Sequence, residues 1–195
     1  MEILVTGISR SGTTLLASVI GGHPDISILN EPLSTDYRKA VGKQHSGLKV
    51  TLGSNITMKY IYSPNWFLSD ALNRLINPFR KMHLRWLPIA GYSLNQLIRR
   101  CDGVIIIERN KEDVISSAIR RTGMPLWVAS RRFKKGTAQQ NWIKKRSGYL
   151  RVQYEDLVRH PTAEIETICG YLGIEVSDAM LKNASLNPYG KELVG

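Results

Sequence analysis

Short apolar runs alternate along the chain with stretches where apolar residues recur every three or four positions. Ile3-Leu4-Val5 is such a run; it ends at Thr6-Gly7 and predicts a buried strand entering a turn. From Thr13 through Ile20 apolar residues come at helical spacing, then stop at Gly21-Gly22 with Pro24 just beyond, so a helix comes after the turn. Gly103 to Ile107 is continuously apolar, as in a parallel strand covered on both faces. Lys111 to Arg121 then reads as a helix with Val114, Ile115, Ala118 and Ile119 in one stripe. A further strand at Tyr149–Val152 precedes a helix from Thr162 to Leu172 that ends at Gly173. Shorter strands are expected at Ile26–Leu29 and Leu48–Thr51. Between Asn55 and Gly91 the pattern blurs: Trp66, Phe67, Leu68, Leu72 and Leu75 favour a helix, while Pro78 and Pro88 interrupt the stretch after it.

Strands alternating with helices predict an α/β fold of three layers, P-loop in type, with a mostly parallel sheet of about 4–5 strands flanked by helices. No repeat, low-complexity tract or linker divides the chain, so residues 1–195 are expected to form a single domain. Cys101 and Cys169 lie far apart with no His or Cys beside them, which fits two core thiols in a reducing compartment. No stretch reaches the ~18 apolar residues that a membrane span needs. The first residues lack the basic start and cleavage site of a signal peptide. The expectation is a cytoplasmic enzyme without an anchor.

Charge narrows the picture: 27 Lys and Arg stand against 16 Asp and Glu, a formal net charge of +11. Such an excess suits an anionic ligand, a nucleic acid or an acidic surface. The runs Arg131-Arg132 with Lys134-Lys135, and Lys144-Lys145-Arg146, read first as solvated helix faces. Trp127 and Trp142 beside them are core candidates or platforms for a sugar ring.

The segment Gly7-Ile8-Ser9-Arg10-Ser11-Gly12-Thr13-Thr14 falls between the first strand and the first helix. Glycines there let successive N–H groups face one anion, and the helix N-terminus adds positive potential. The hydroxyls of Ser11, Thr13 and Thr14 add donors. The spacing matches the Walker A loop G-x-x-x-x-G-K-[ST], except that Thr13 stands in the lysine position and the charge has moved to Arg10. That lysine bridges the outer phosphates of a triphosphate, and its neighbour holds magnesium. A donor with one 5′-phosphate and no triphosphate–metal tail suits the altered loop better.

Arg10-Ser11-Gly12-Thr13-Thr14-Leu15-Leu16 resembles the 5′-phosphosulfate loop of PAPS-dependent sulfotransferases, in their small glycan- and protein-modifying branch. Ile105-Ile106-Ile107-Glu108-Arg109, with Ser117 eight residues after Arg109, is similar to that family's second motif. The resemblance implies that Arg10, Ser11, Gly12, Thr13 and Thr14 bind the 5′ end of PAPS. It also implies that Arg109 and Ser117 hold its 3′-phosphate, with PAP as product and no metal. Arg109 also stands at a predicted strand end, where open parallel sheets bind ligands. Arg151-Val152-Gln153-Tyr154-Glu155-Asp156-Leu157, with Tyr171-Leu172-Gly173 downstream, matches a third family segment and reads as scaffold. In that scaffold Tyr154 and Leu157 pack, and Glu155 and Asp156 cap or pair. The match lapses between Asn55 and Gly91 and at the C-terminus, where Lys191 is a further donor-phosphate candidate.

The mechanism so implied is in-line attack by an acceptor hydroxyl or amine, with Arg10 stabilising the leaving phosphate. Glu31, in Leu29-Asn30-Glu31-Pro32, is the expected base, as the family layout implies; a desolvated carboxylate can be tuned upward for that work. Glu31 pairing with Arg10, or capping a helix, is the alternative. His45 and His83 remain rival bases, whereas His23 and His160 each precede proline and read as turn residues. The acceptor is a small molecule or glycan, anionic if the surplus basic charge steers it. The runner-up is a P-loop kinase using ATP and magnesium, with Glu108 in the place of a Walker B acid. A nucleic-acid binder rests on charge alone, and no nucleic-acid motif accompanies it.

Overall fold

The computed structural model describes residues 1–30, 44–53, 98–99 and 101–186. The blurred stretch between Asn55 and Gly91 lies outside them, as do Glu31, His83 and Lys191. Five strands form one sheet: β1 (Glu2–Ile8), β2 (Ile26–Asn30), β3 (His45–Leu52), β4 (Gly103–Glu108) and β5 (Leu150–Gln153). Their order is β2-β3-β1-β4-β5 and every pairing is parallel. Six helices are described: α1 (Thr13–Ile20), α2 (Lys111–Thr122), α3 (Leu126–Lys144), α4 (Tyr154–Arg159), α5 (Pro161–Leu172) and α6 (Asp178–Ser185).

The alternation of side chains along each strand divides the core into two. Ile3, Val5, Ile105, Ile107 and Val152 point to one face, where Leu16, Ile20, Ile165, Ile168 and Met180 from α1, α5 and α6 cover them. Leu4, Val104 and Ile106 point to the other, against Val50, Leu52 and Ile143 of α3. A sheet buried on both faces requires near-continuous apolar strands, which is why β1 and β4 read so clearly. The one polar interruption in β1, Thr6, is fully buried and donates its hydroxyl to the Val50 carbonyl at 2.8 Å.

Helix ends reflect local chemistry. The Asn110 side chain accepts from the Glu112 N–H at 2.9 Å, with Glu112 and Asp113 in the first turn of α2 and Arg120 and Arg121 in its last. That charge order complements the helix dipole, and the Asn110 cap starts α2 within three residues of the end of β4. The N-cap Ser177 starts α6 in the same way. The elements expected among the described residues all appear, each end within three residues of the expectation, and the helix expected around Trp66 to Leu75 lies outside them. Three helices, α3, α4 and α6, add to the expected elements. The basic run Arg131, Arg132, Lys134 and Lys135 lies on the solvent side of α3. Trp142 packs against the second core with Arg146 over its ring, while Trp127 is exposed. Cys169 is buried and Cys101 half-buried. No helix of the described residues is long and apolar enough to cross a membrane.

Candidate nucleotide site

The parallel register sets the site's position. Gly7 of β1 pairs with Ile107 of β4, so the chain leaving β1 and the chain leaving β4 emerge side by side at the carboxyl edge of the sheet. Open parallel sheets bind ligands at that edge.

The first of these departures is a tight loop. The Ser11 N–H returns to the Ile8 carbonyl at 2.9 Å, closing a turn whose third residue, Arg10, has φ 76°. Arg10 is the only described non-glycine residue with positive φ. A left-handed arginine stores roughly 1 kcal/mol of strain or more, and such strain concentrates at functional sites. Gly12, at φ 100°, is the N-cap of α1 and leaves the first helical amides without a side-chain cap. The first turn of α1 carries no acidic residue either. An uncapped helix N-terminus presents N–H groups and positive potential to an anion.

Inside the loop the Ser11 hydroxyl is buried with no hydrogen-bond partner. It lies over Gly7: a Cβ on Gly7 would stand 2.7 Å from Ser11 Oγ and 2.6 Å from the Ile107 carbonyl. A buried hydroxyl left unpaired costs stability, and an acceptor oxygen from a bound phosphate or sulfate would satisfy it. Thr13 is buried, and Thr14 is half-buried with its hydroxyl accepting from Lys49 Nζ at 3.1 Å. Lys49 projects from the middle of β3, 7% exposed, and sets a second positive charge beside the start of α1. Its ammonium comes from a neighbouring strand to the loop whose own lysine position holds Thr13. Sequence reading passed over it. In sequence it is only a charged residue between Leu48 and Val50 within an expected strand.

The second departure carries Arg109 and α2. Arg109 Nε is buried with no hydrogen-bond partner, and its guanidinium lies over the Tyr154 ring at 4.2 Å from the centroid. Glu155 accepts from the Asn110 N–H at 3.2 Å and from the Gln153 amide at 2.6 Å. Burial pushes the Glu155 carboxyl up. Its own N–H, that of Asn110, the Gln153 amide and the Arg109 charge outweigh burial and hold it below the usual carboxylate range. The segment read as scaffold therefore touches the site: Leu157 is fully buried as expected, but Tyr154 and Glu155 hold the Arg109 junction.

Of the residues singled out by sequence, Arg10, Ser11, Gly12, Thr13 and Thr14 share the loop, and Arg109 and Ser117 share the junction beside it. The two groups are joined: Arg10 Nε donates to Ser117 Oγ at 3.2 Å. Glu31 lies outside the described residues. His45 opens β3 at the amino edge of the sheet, with its ring 3.5 Å from the Met1 amino group. Seven residues of strand, about 20 Å, separate it from the carboxyl edge, so it is no base for this site. His23 is buried in the turn after α1, where its Nδ1 accepts from the Asp25 N–H, as its place before proline implied. Glu108 is engaged by Lys144 and by Gln140 from α3, with Arg151 at 3.9 Å from its other oxygen. A carboxylate so bound is a poor magnesium ligand. Among the described residues no group of three His, Cys, Asp or Glu side chains converges as a metal site does.

The chain is similar to known sulfotransferases. Residues 103–178 match the sulfotransferase family. The protein-tyrosine sulfotransferase A of Caenorhabditis elegans is 25% identical over 216 residues, covering 98% of this chain and 54% of that protein. The chain thus spans about half the length of this curated relative. The sulfotransferase domain of the Synechococcus PCC 7002 olefin synthase superposes with a TM-score of 0.55 at 20% identity, covering 96% of this chain and 78% of that one. A mouse sulfotransferase solved with PAP superposes with a TM-score of 0.53 at 18% identity, covering 94% and 62%. At such identities the superpositions establish the fold; the reaction has to be argued from the site.

Proposed function

We propose that this chain, whose residues 103–178 match the sulfotransferase family, moves a sulfuryl group from PAPS to an acceptor hydroxyl or amine. The observation that carries the reading is the pair of anion-facing elements on adjacent strands, each with a buried, unpartnered donor, Ser11 Oγ and Arg109 Nε. A nucleotide phosphorylated at both ends supplies an anion to each. PAPS is such a nucleotide, and the mouse relative of this fold was solved with its product PAP.

When bound, the donor supplies an activated sulfuryl group on a phosphate that leaves as an anion. In this reading the amides at the start of α1 and the Ser11 hydroxyl hold the 5′ end. Arg10 and Lys49 place two positive charges where negative charge grows, and fixed cations in a partly desolvated site are worth more than in water. Lys49 thereby takes the part of the cation that Thr13 displaced. Arg109 and Ser117 hold the 3′-phosphate. β2 ends at the same edge of the sheet, and the residue after it in sequence is Glu31, our proposed base. The nematode relative's name gives protein tyrosine as its acceptor, so a phenolic hydroxyl is the first acceptor to assay, ahead of a sugar hydroxyl.

Calorimetric titration with PAP, ADP, and ATP with magnesium tests the donor. The expected result is tighter binding of PAP than of either comparator. Preference for ATP with magnesium transfers the chain to the kinase reading. Glu31→Gln should keep PAP affinity while removing most turnover with labelled PAPS; near-normal turnover would assign the base elsewhere.

A further inference from the structure

Gln153 of β5 pairs with Glu108 of β4, so the next residue of each strand, Tyr154 and Arg109, leave the sheet side by side. The Tyr154 ring then meets both anion-facing elements. One face carries the Arg109 guanidinium. Its Cδ2 and Cε2 atoms press on Gly12, so closely that a Cβ at Gly12 would collide with both. Arg109 has no hydrogen bond at its buried Nε to fix its plane. The stacked ring does that instead, because a guanidinium lies flat on an aromatic face and keeps its N–H fork in the plane. The neighbouring Glu155 is anchored separately, through the Asn110 N–H and the Gln153 amide. Loss of the ring therefore leaves the backbone of this junction tied.

We infer that Tyr154 is a positioning residue: its ring sets the plane of the Arg109 guanidinium and ties it to the Gly12 end of the loop. Selectivity for a 3′-phosphorylated nucleotide over its 3′-hydroxyl analogue then depends on an aromatic ring at position 154. The inference rests on the donor reading above and goes beyond it, because it places the origin of 3′-phosphate selectivity in a residue that touches the arginine.

The test is the ratio of PAP affinity to AMP affinity, two ligands that differ only by the 3′-phosphate, in the wild type, Arg109→Ala, Tyr154→Phe and Tyr154→Leu. Each ratio is internal to one folded protein, so a general loss of stability does not move it. Should Tyr154→Leu fail to fold, Tyr154→Met takes its place. The expected result is a ratio within about twofold of wild type for Tyr154→Phe and a fall of roughly tenfold for Tyr154→Leu, with AMP affinity nearly unchanged. A Tyr154→Leu ratio equal to wild type overturns the inference and leaves the donor reading intact. So does an equal loss for both nucleotides, which would mean that the ring supports the loop alone. A loss in Tyr154→Phe matching that in Tyr154→Leu would assign the effect to the hydroxyl and also overturn it. A wild type that binds PAP no better than AMP removes the donor reading and this inference together.

Discussion

Between β1 and α1 the anion-facing groups are mostly backbone, shaped by Gly7, Gly12 and a left-handed Arg10. At the end of β4 they are side chains: Arg109, stacked on the Tyr154 ring of α4, and Ser117, which accepts from Arg10 of the loop. A backbone cradle is rigid because its geometry is the fold's geometry, and changing it means refolding the turn. An arm of side chains can be altered without disturbing the strands. Damage to the backbone of the first half, as at Gly7, should therefore appear as lost stability and lost binding together, loss of its Arg10 side chain as lost binding of both nucleotides, and damage to the second half as lost selectivity alone.

The largest effect is expected at Gly7. An added Cβ would stand 2.6 Å from the Ile107 carbonyl and 2.8 Å from Ile107 Cγ2, inside the contact limits of a central strand pair. Gly7→Ala should cost about 3 kcal/mol of unfolding free energy, read by urea denaturation, because neither neighbour is the free end of a flexible chain. Stability close to wild type would show that the two strand ends can part, and the contrast between the halves would lose its basis.

Next comes a pair of arginine substitutions. Arg10→Gly relieves roughly 1 kcal/mol of backbone strain, set against the greater freedom of glycine in the unfolded chain. Its unfolding midpoint should be no lower than that of the wild type. Its affinity for AMP and for PAP should fall together, by about 10- to 100-fold, the scale of a lost charge-assisted contact to phosphate. Arg109→Ala should weaken PAP by a similar factor and leave AMP untouched. If both variants lose both nucleotides equally, the two halves do not read separate phosphates.

The same contrast explains what the sequence made legible. Glycine spacing around Arg10 and the apolar runs of β1 and β4 are local patterns with one physical cause each, so the loop and the central strands could be read directly. Lys49 could not, because its meaning depends on β3 lying beside β1, a fact of topology. Tyr154 was read as packing for the same reason: 45 positions separate it from Arg109 in sequence, and only the β4–β5 register unites them. Helix α3 escaped because only Ala129, Gly136, Gln140 and Ile143 of its 19 residues are buried. With so few core positions and charges around most of the circumference, no apolar stripe marks it. Helix α6 buries only Met180 and Ala184, too short a pattern to stand out.

The smallest effect concerns acid, and it separates the side-chain arm from the rest of the frame. Glu155 has its folded pKa held below the usual carboxylate value despite burial. As pH falls, the unfolded chain protonates this group first, so its contribution is present above the ordinary carboxylate value and is lost as pH drops through the folded one. Glu164, on α5 away from both halves, is shifted the other way: burial and the Asp156 charge raise it, with Arg151 and His160 opposing. Its folded form holds a proton more tightly, so its contribution is present below the ordinary value and lost as pH rises through the folded one. Urea unfolding across about pH 3 to 6 should thus show a shallower rise of stability with pH in Glu155→Gln than in the wild type, and a steeper one in Glu164→Gln. Both changes will be small, because solvent screens these side chains. A Glu155→Gln slope identical to wild type would mean that its bonds to Asn110 and Gln153 do not outlast solvent competition. The arm would then rest on the Tyr154 ring alone.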